Sequence, residues 1–430
     1  MRLSGSHTDS GYGERQRMLI RLVLVSSCAL ALSGCVRVPD PTAEATMSPS
    51  SSAIPASTLG ALPTSSGERA VPCSLAPETA LAHLAGTMVA LVRGSDGDLD
   101  GTITIFAYPS EEATAVIHVA AHFGLLGNRG LWAPDGRVLA VPGWLDGGLA
   151  SILVVDVISG QLVPAGPTIR TLPRSLGYSP VVSPHWNGWS PSGKWIVLQE
   201  TGEDGLGHEY VHDTIASVEG DEDIVLENDV RFLAWSPLGN DRYAAVRHTA
   251  GAQEPHDTLE IMDVSSREPI QVIDDFGTLV LYPSVWGAWS PDEDLLVVHA
   301  YDLAAARSSP ILAAPADGTW RALPRPGARV PLYWSPDGRW LVFWAPPSAL
   351  ALMDMAADGF TIVEPPRCGP IEDEVEPLTW TRDGQYFLYR EGDRLMAIAS
   401  DDPQTPMQVW SLNSLQGYES GEWGTAIWAP

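Results

Sequence analysis

Two stretches of the chain carry metal-binding residue types at metal-binding spacings. His208-Glu209-Tyr210-Val211-His212 has the order H-E-x-x-H. On a helix that spacing turns both imidazoles to one face to hold zinc, with the glutamate placed as general base. The surrounding sequence argues against a helix. His212-Asp213-Thr214-Ile215 recurs as His256-Asp257-Thr258-Leu259, which runs into the strand-like Leu259-Glu260-Ile261-Met262. His208 and His212 are therefore expected in a loop entering a strand, where side chains four apart do not converge. The second stretch is Asp96-Gly97-Asp98-Leu99-Asp100-Gly101. Asp96, Asp98 and Asp100 form a candidate Ca²⁺ loop, with Gly101 supplying the sharp turn. Ala107 stands where such a loop needs a bidentate acid. The run also lies between two strand-like segments, Met88 to Val92 and Thr102 to Tyr108, so a plain Asp-Gly hairpin is preferred. The G-x-S-x-G elbow of serine hydrolases is absent from the sequence. No cofactor is expected.

The elements around these residues repeat. Trp132-Ala133-Pro134-Asp135-Gly136 is followed by Trp189-Ser190-Pro191-Ser192-Gly193, Trp235-Ser236-Pro237-Leu238-Gly239 and Trp289-Ser290-Pro291-Asp292. Trp334-Ser335-Pro336-Asp337-Gly338, Trp380-Thr381-Arg382-Asp383-Gly384 and Trp428-Ala429-Pro430 complete the series. The tryptophans are 57, 46, 54, 45, 46 and 48 residues apart. A period of this size marks a propeller or another repeat array.

The motif has a mechanical reading. Ser-Pro-Asp-Gly suits a type I turn followed by a left-handed glycine, a common hairpin connection. Strand-like segments follow each turn, such as Trp195 to Leu198, Tyr243 to Val246 and Trp340 to Trp344. Second and third strands come after, such as Leu259 to Val264 and Ile270 to Ile273. With the strand that ends in Trp, each unit has four strands, one propeller blade. The recurrent Trp is expected to pack between blades. The pattern resembles the WD40-like repeat of TolB-type β-propellers over roughly residues 85 to 430. That resemblance implies fold and leaves function open. Leu238 in place of Asp, Glu293 and Asp294 in place of Gly, and Arg382 in place of Pro depart from it.

The predicted fold is all-β: a seven-bladed β-propeller of four-stranded blades, with six blades as the alternative. Both chain termini close it. The last unit stops after one strand, and three strands without a signature, Met88 to Val92, Thr102 to Tyr108 and Ala115 to Val119, would complete its blade. Closure of this kind removes open sheet edges. Function is then expected in the funnel around the axis, on the innermost strands. His185, Trp186, Arg231, Trp286 and Trp423 are the candidate ligand-binding residues, with Arg129, Glu374 and Glu376 near them. Trp186 and Trp286 each stand three residues before a repeat Trp. Aromatic and charged groups around one opening can stack on and hydrogen-bond a glycan or peptide.

The N-terminus reads as an export signal. Arg15, Arg17 and Arg21 flank the apolar run Leu22 to Leu32, which is too short for a comfortable membrane span. It ends in Leu32-Ser33-Gly34-Cys35, which resembles the bacterial lipobox. The resemblance implies lipidation of Cys35 after removal of residues 1–34 as a signal peptide. Residues 35–72 are rich in Pro, Ser, Thr and Ala and are expected to be a disordered tether, and residues 73–430 the propeller. Cys28 leaves with the signal. Cys73 and Cys368 are then the thiols left besides the acylated one, outside the cytoplasm, and are expected to pair. Two unrelated buried thiols are the alternative.

The formal net charge of −28 repels phosphate backbones, so nucleic-acid binding is disfavoured. The expected protein is an extracytoplasmic, lipid-anchored monomer. It would bind an envelope protein, peptide or glycan without catalysis and touch the membrane only through its anchor. A propeller enzyme acting on glycans or peptides is the alternative.

Overall fold

The computed structural model describes residues 74–76, 84, 88–93, 101–119, 131–145, 149–170, 181–203, 209–220, 222–239, 241–249, 256–281, 287–308, 310–324, 330–345, 349–356, 360–368, 375–415 and 425–428. The strands run as successive antiparallel meanders, named here by sheet. Sheet I holds Leu131–Trp132, Val138–Leu145, Leu149–Asp156 and Gln161–Arg170. Sheet II holds Val181–Trp189, Trp195–Glu203, Glu209–Ser217 and Asp223–Val225. Sheet III holds Val230–Trp235, Arg242–Thr249, His256–Asp263 and Pro269–Ile273. Sheet IV holds Gly287–Trp289, Leu296–Val298, Ile311–Ala314 and Thr319–Ala322, and a three-stranded sheet of Leu279–Leu281, Ala300–Asp302 and Arg307–Ser308 continues it. Sheet V holds Val330–Trp334, Trp340–Ala345, Ala349–Asp354 and Thr361–Val363. Sheet VI holds Val375–Trp380, Tyr386–Glu391, Arg394–Ala399 and Met407–Ser411. Sheet VII pairs Thr425–Trp428 with Met88–Arg93, then Gly101–Ala107 and Ala113–Val119.

The core lies between sheets. Ala133, Ala140 and Val154 of sheet I pack with Trp189, Ile196 and Leu198 of sheet II. Similar clusters join sheets II and III, III and IV, IV and V, and V and VI. Two more join Leu388 and Trp410 of sheet VI to Phe106 of sheet VII, and Ile103 and Ile105 of sheet VII to Trp132 of sheet I. Because both faces of a sheet are covered, middle strands such as Leu296–Val298 are buried at every residue. That is why they read as continuous aliphatic runs and not as apolar-polar alternation. Four-stranded antiparallel sheets packed face to face in chain order make a β-propeller.

Two local features were not legible in the sequence. Ser74–Leu75 adds to sheet VI as a fifth strand, parallel to Met407 and Gln408, with the Ala76 amide donating to the Gln408 carbonyl at 2.9 Å. Two residues are too few to show periodicity. The innermost strands also break register just before the repeat Trp. In sheet III one residue, Leu233, is extra. In sheet II Pro184 pairs with Leu198 and Trp189 with Ile196, so residues 185–188 face Val197 alone. In sheet IV Leu281 pairs with Ala300 and Gly287 with Val298, with His299 between the partners. Sheets II and IV end the 57- and 54-residue intervals, and in sheet II part of the extra length enters the innermost strand.

Candidate functional site

The turn after each repeat Trp is built as its residue types dictate. In sheet V the Gly338 amide donates to the Ser335 carbonyl at 2.9 Å, and Gly338 holds φ +71°. The buried Ser335 hydroxyl donates to Asp337 and accepts from the Trp340 amide at 2.8 Å, and Asp337 in turn accepts from the Arg339 amide. Thr381 replaces serine in sheet VI and keeps every one of these bonds, with Arg382 in place of proline. In sheet IV Glu293 occupies the glycine position at φ 65°. In sheet III Leu238 replaces the aspartate and its side chain is 59% exposed.

These turns fix the ends of the innermost strands and, with them, a cavity of about 430 Å³. Trp132, Trp189, Trp235, Trp289 and Trp334 line it, together with Pro134, Pro191, Pro237, Pro291, Leu332 and Tyr333. Each indole has two roles. One side packs in the core shared with the preceding sheet, and the rest borders the cavity. The ring nitrogens tie the sheets together. Trp235, Trp289 and Trp334 donate to the carbonyls of Gly188, Ala234 and Ala288 in the preceding sheets at 3.0, 3.4 and 2.9 Å. The lining is mostly apolar, includes Tyr333, carries no charged side chain and has these donors already engaged. It suits an apolar group of matching size. The sequence reading assigned the repeat Trp to packing alone, and the structure adds the cavity.

Of the predicted funnel residues, His185, Trp186, Arg231 and Glu376 lie on innermost strands. His185 and Trp186 fall in the segment of sheet II that breaks register, the kind of bulge that re-aims side chains beside functional sites. Trp286, Trp423, Arg129 and Glu374 lie outside the described residues. Arg231 is half-buried on the innermost strand of sheet III. Burial lowers its pKa against the attraction of Asp213 and Asp229, and its Nη1 donates to the Val230 carbonyl at 2.8 Å. Glu376 is buried and bound by Arg390 at 2.8–2.9 Å.

The candidate metal sites fare differently. His212 sits within the strand Glu209–Ser217, opposite Glu200, and not in a loop before it. On a strand, residues four apart share a face but stand about 13 Å apart, too far to hold one zinc, so His212 lacks the helical geometry of the motif. His208 lies outside the described residues, as do Asp96, Asp98 and Asp100; the strands flanking that run pair antiparallel, with Arg93 opposite Thr102. Among the described residues no group of three His, Cys, Asp or Glu could hold a metal. No helix among them is long and apolar enough to cross a membrane. Cys35 and Cys73 lie outside the described residues. Cys368 is buried and disulfide-bonded, with its amide on Glu391 at 3.2 Å and its carbonyl on Arg394.

The repeated His-Asp-Thr has a structural use that sequence reasoning missed. Asp213 and Asp257 are buried and reach across to the next sheet. Asp213 accepts from the Phe232 amide at 2.9 Å, and Asp257 from the Leu281 amide at 2.7 Å. Asp257 also meets His248 Nδ1 at 2.8 Å. The repetition itself was the available signal. Burial alone pushes the His299 imidazole down to about 4.

No family model and no curated protein matches the chain. Among solved structures, the chain is similar to TolB from Acinetobacter baumannii at 16% identity and a TM-score of 0.38, covering 81% of this chain and 67% of that one. It is similar to the periplasmic gluconolactonase PpgL of Pseudomonas aeruginosa at 18% identity and a TM-score of 0.44, covering 80% and 99%. It is also similar to dipeptidyl peptidase 4 of Porphyromonas gingivalis at 13% identity and a TM-score of 0.39, covering 79% of this chain and 55% of that one. At these levels none lends its activity to this chain.

Proposed function

We propose that this chain is an exported lipoprotein, anchored through Cys35, whose propeller binds a partner outside the cytoplasm at its Trp-lined end. The proposal divides the chain into a signal peptide (1–34), a tether (35–72) and a propeller (73–430). It counts seven blades closed by both termini. The count is supported by sheet VII, where Val89 pairs with Trp428, and by clusters joining that sheet to sheet VI on one side and sheet I on the other. A Cys73–Cys368 disulfide is part of the same reading, because Ser74 is already paired on sheet VI. The protein acts as a monomer that binds and does not catalyse.

One observation carries the binding reading: five equivalent tryptophans from successive sheets converge on one apolar cavity. A propeller leaves a channel on its axis in any case; the concentration of aromatic side chains there is what supports binding. Photo-crosslinking in cells tests it. A crosslinking residue at Leu238, beside the cavity, should capture an extracytoplasmic partner. The same residue at Ile270, 51% exposed on an outermost strand, should not. Capture at Ile270 and not at Leu238 would move the site to the sheet edge. For the anchor, Cys35→Ser should abolish fatty-acid labelling and release the protein from membranes; a labelled variant would refute it.

A further inference from the structure

We propose that the segment seated in this cavity is apolar and flanked by lysine or arginine, within a polypeptide partner. This deepens the binding reading above and rests on it.

The repeat supplies its own baseline. At the third turn position, Asp135, Asp337 and Asp383 accept the backbone amide two residues on, at 2.9–3.1 Å. At the fourth, Gly136, Gly193, Gly338 and Gly384 hold φ between +66° and +71°. Leu238 gives up the first feature and exposes an aliphatic side chain to solvent. Glu293 gives up the second and places a bulky residue at φ 65°, where side chains crowd the backbone. Neither departure helps the fold. Leu238 directly follows Pro237 and Glu293 stands two residues after Pro291, and both prolines line the cavity, on adjacent sheets. Asp292 and Asp294 flank Glu293 and are exposed, so this turn carries three consecutive carboxylates, of which Asp292 also accepts from the Ser290 hydroxyl and the Asp294 amide.

The chemistry of the occupant follows from lining and rim together. The indole donors of Trp235, Trp289 and Trp334 are spent on carbonyls, proline has no N–H, and the hydroxyls of Ser290 and Ser335 are engaged within their turns, which leaves Tyr333 as the one hydroxyl-bearing side chain among the lining residues. Sugar hydroxyls would lose water and find few partners there. An aliphatic or aromatic side chain loses nothing. The rim carboxylates then select cations beside that side chain, and the net charge of −28 favours encounter with such a segment.

The test pans a random dodecapeptide display library against the full chain and against two variants, Leu238→Asp and Asp292→Asn/Glu293→Gly/Asp294→Asn. The changes at 238 and 293 restore the repeat's own residues, and circular dichroism should show the native fold in both variants. Enriched peptides should join a large apolar residue to Lys or Arg. The best synthetic peptide should bind each variant at least tenfold more weakly, and should lose affinity between 50 and 500 mM salt on the parent but far less on the neutralised variant. No enrichment, enrichment of acidic or polar peptides, or affinities unchanged in both variants would overturn the proposal. If crosslinking at Leu238 still captures a partner in that event, the binding end stands and only the occupant is wrong. If crosslinking fails there as well, the site itself is wrong.

Discussion

Acidification should weaken the fold through His299. His299 lies between Leu296–Val298 and Ala300–Asp302, opposite the break in the innermost strand, and is buried. Burial holds its imidazole down at about 4, against 6.5 in the unfolded chain. The folded state thus favours the neutral ring. Stability is full above pH 6.5, falls as the unfolded chain takes up its proton, and stops falling below about 4, where the folded ring protonates as well. The gap corresponds to about 3 kcal/mol in full, and about 2 kcal/mol is already lost at pH 5. The lowered carboxylates, such as Asp263 and Asp292, act only below 3.8, outside this window.

Urea unfolding followed by tryptophan fluorescence at pH 7.5 and 5 measures the loss. The comparison is His299→Gln, which cannot titrate; glutamine already stands at the corresponding place in sheet II, as Gln199. The variant is expected to be less stable at pH 7.5 but to lose about 2 kcal/mol less than the parent on going to pH 5. Equal losses in the two proteins would show that His299 titrates normally, and the argument from burial would fail.

Three further outcomes are expected. Asp257→Ala strands the Leu281 amide and the His248 ring in a buried place and should cost about 2–4 kcal/mol in the same assay, where a loss under 1 kcal/mol would mean water replaces the carboxylate. Cys73→Ser, Cys368→Ser and the double variant should lose the same stability, at most about 5 kcal/mol; additive losses, or two free thiols in non-reducing peptide maps, would rule out the pair. Glu293→Gly should raise stability by about 1 kcal/mol through relief of the left-handed backbone, while an unchanged or lower midpoint in urea would show that the glutamate makes compensating contacts.

Local chemistry was the legible part of this molecule. The Ser-Pro-Asp-Gly turns, the strands after them and the Trp between sheets all follow from residue types within a few positions of one another. The cavity was not legible, because it depends on how far each indole protrudes past the strand beside it, which pairing between distant segments decides. The same reason hid the register breaks at 185–188 and around His299. Extra residues in an interval can enter a loop or a strand, and only the partner strand determines which. Glu376 looked like a funnel carboxylate by position, yet its cross-strand neighbour Arg390 neutralises it. Sequence position places a side chain on a strand but does not name what faces it.

The three departures from the repeat separate structural tolerance from local function. Arg382 replaces proline in sheet VI, whose repeat Trp380 does not line the cavity. There the turn closes as elsewhere, with the Gly384 amide on the Thr381 carbonyl at 2.8 Å and the Thr381 hydroxyl on Asp383 at 2.7 Å. Proline only presets one backbone angle, so its loss costs the folded turn no contact. Leu238 and Glu293 are different in kind. One exposes apolar surface and the other occupies a backbone region that disfavours it, and both cost the folded state something that the turn does not return. Other described turns carry such residues too, with Asp241, Arg267, Ala306 and Phe360 at positive φ and Ile158 and Leu303 exposed, so what sets Leu238 and Glu293 apart is their place beside prolines that line the cavity.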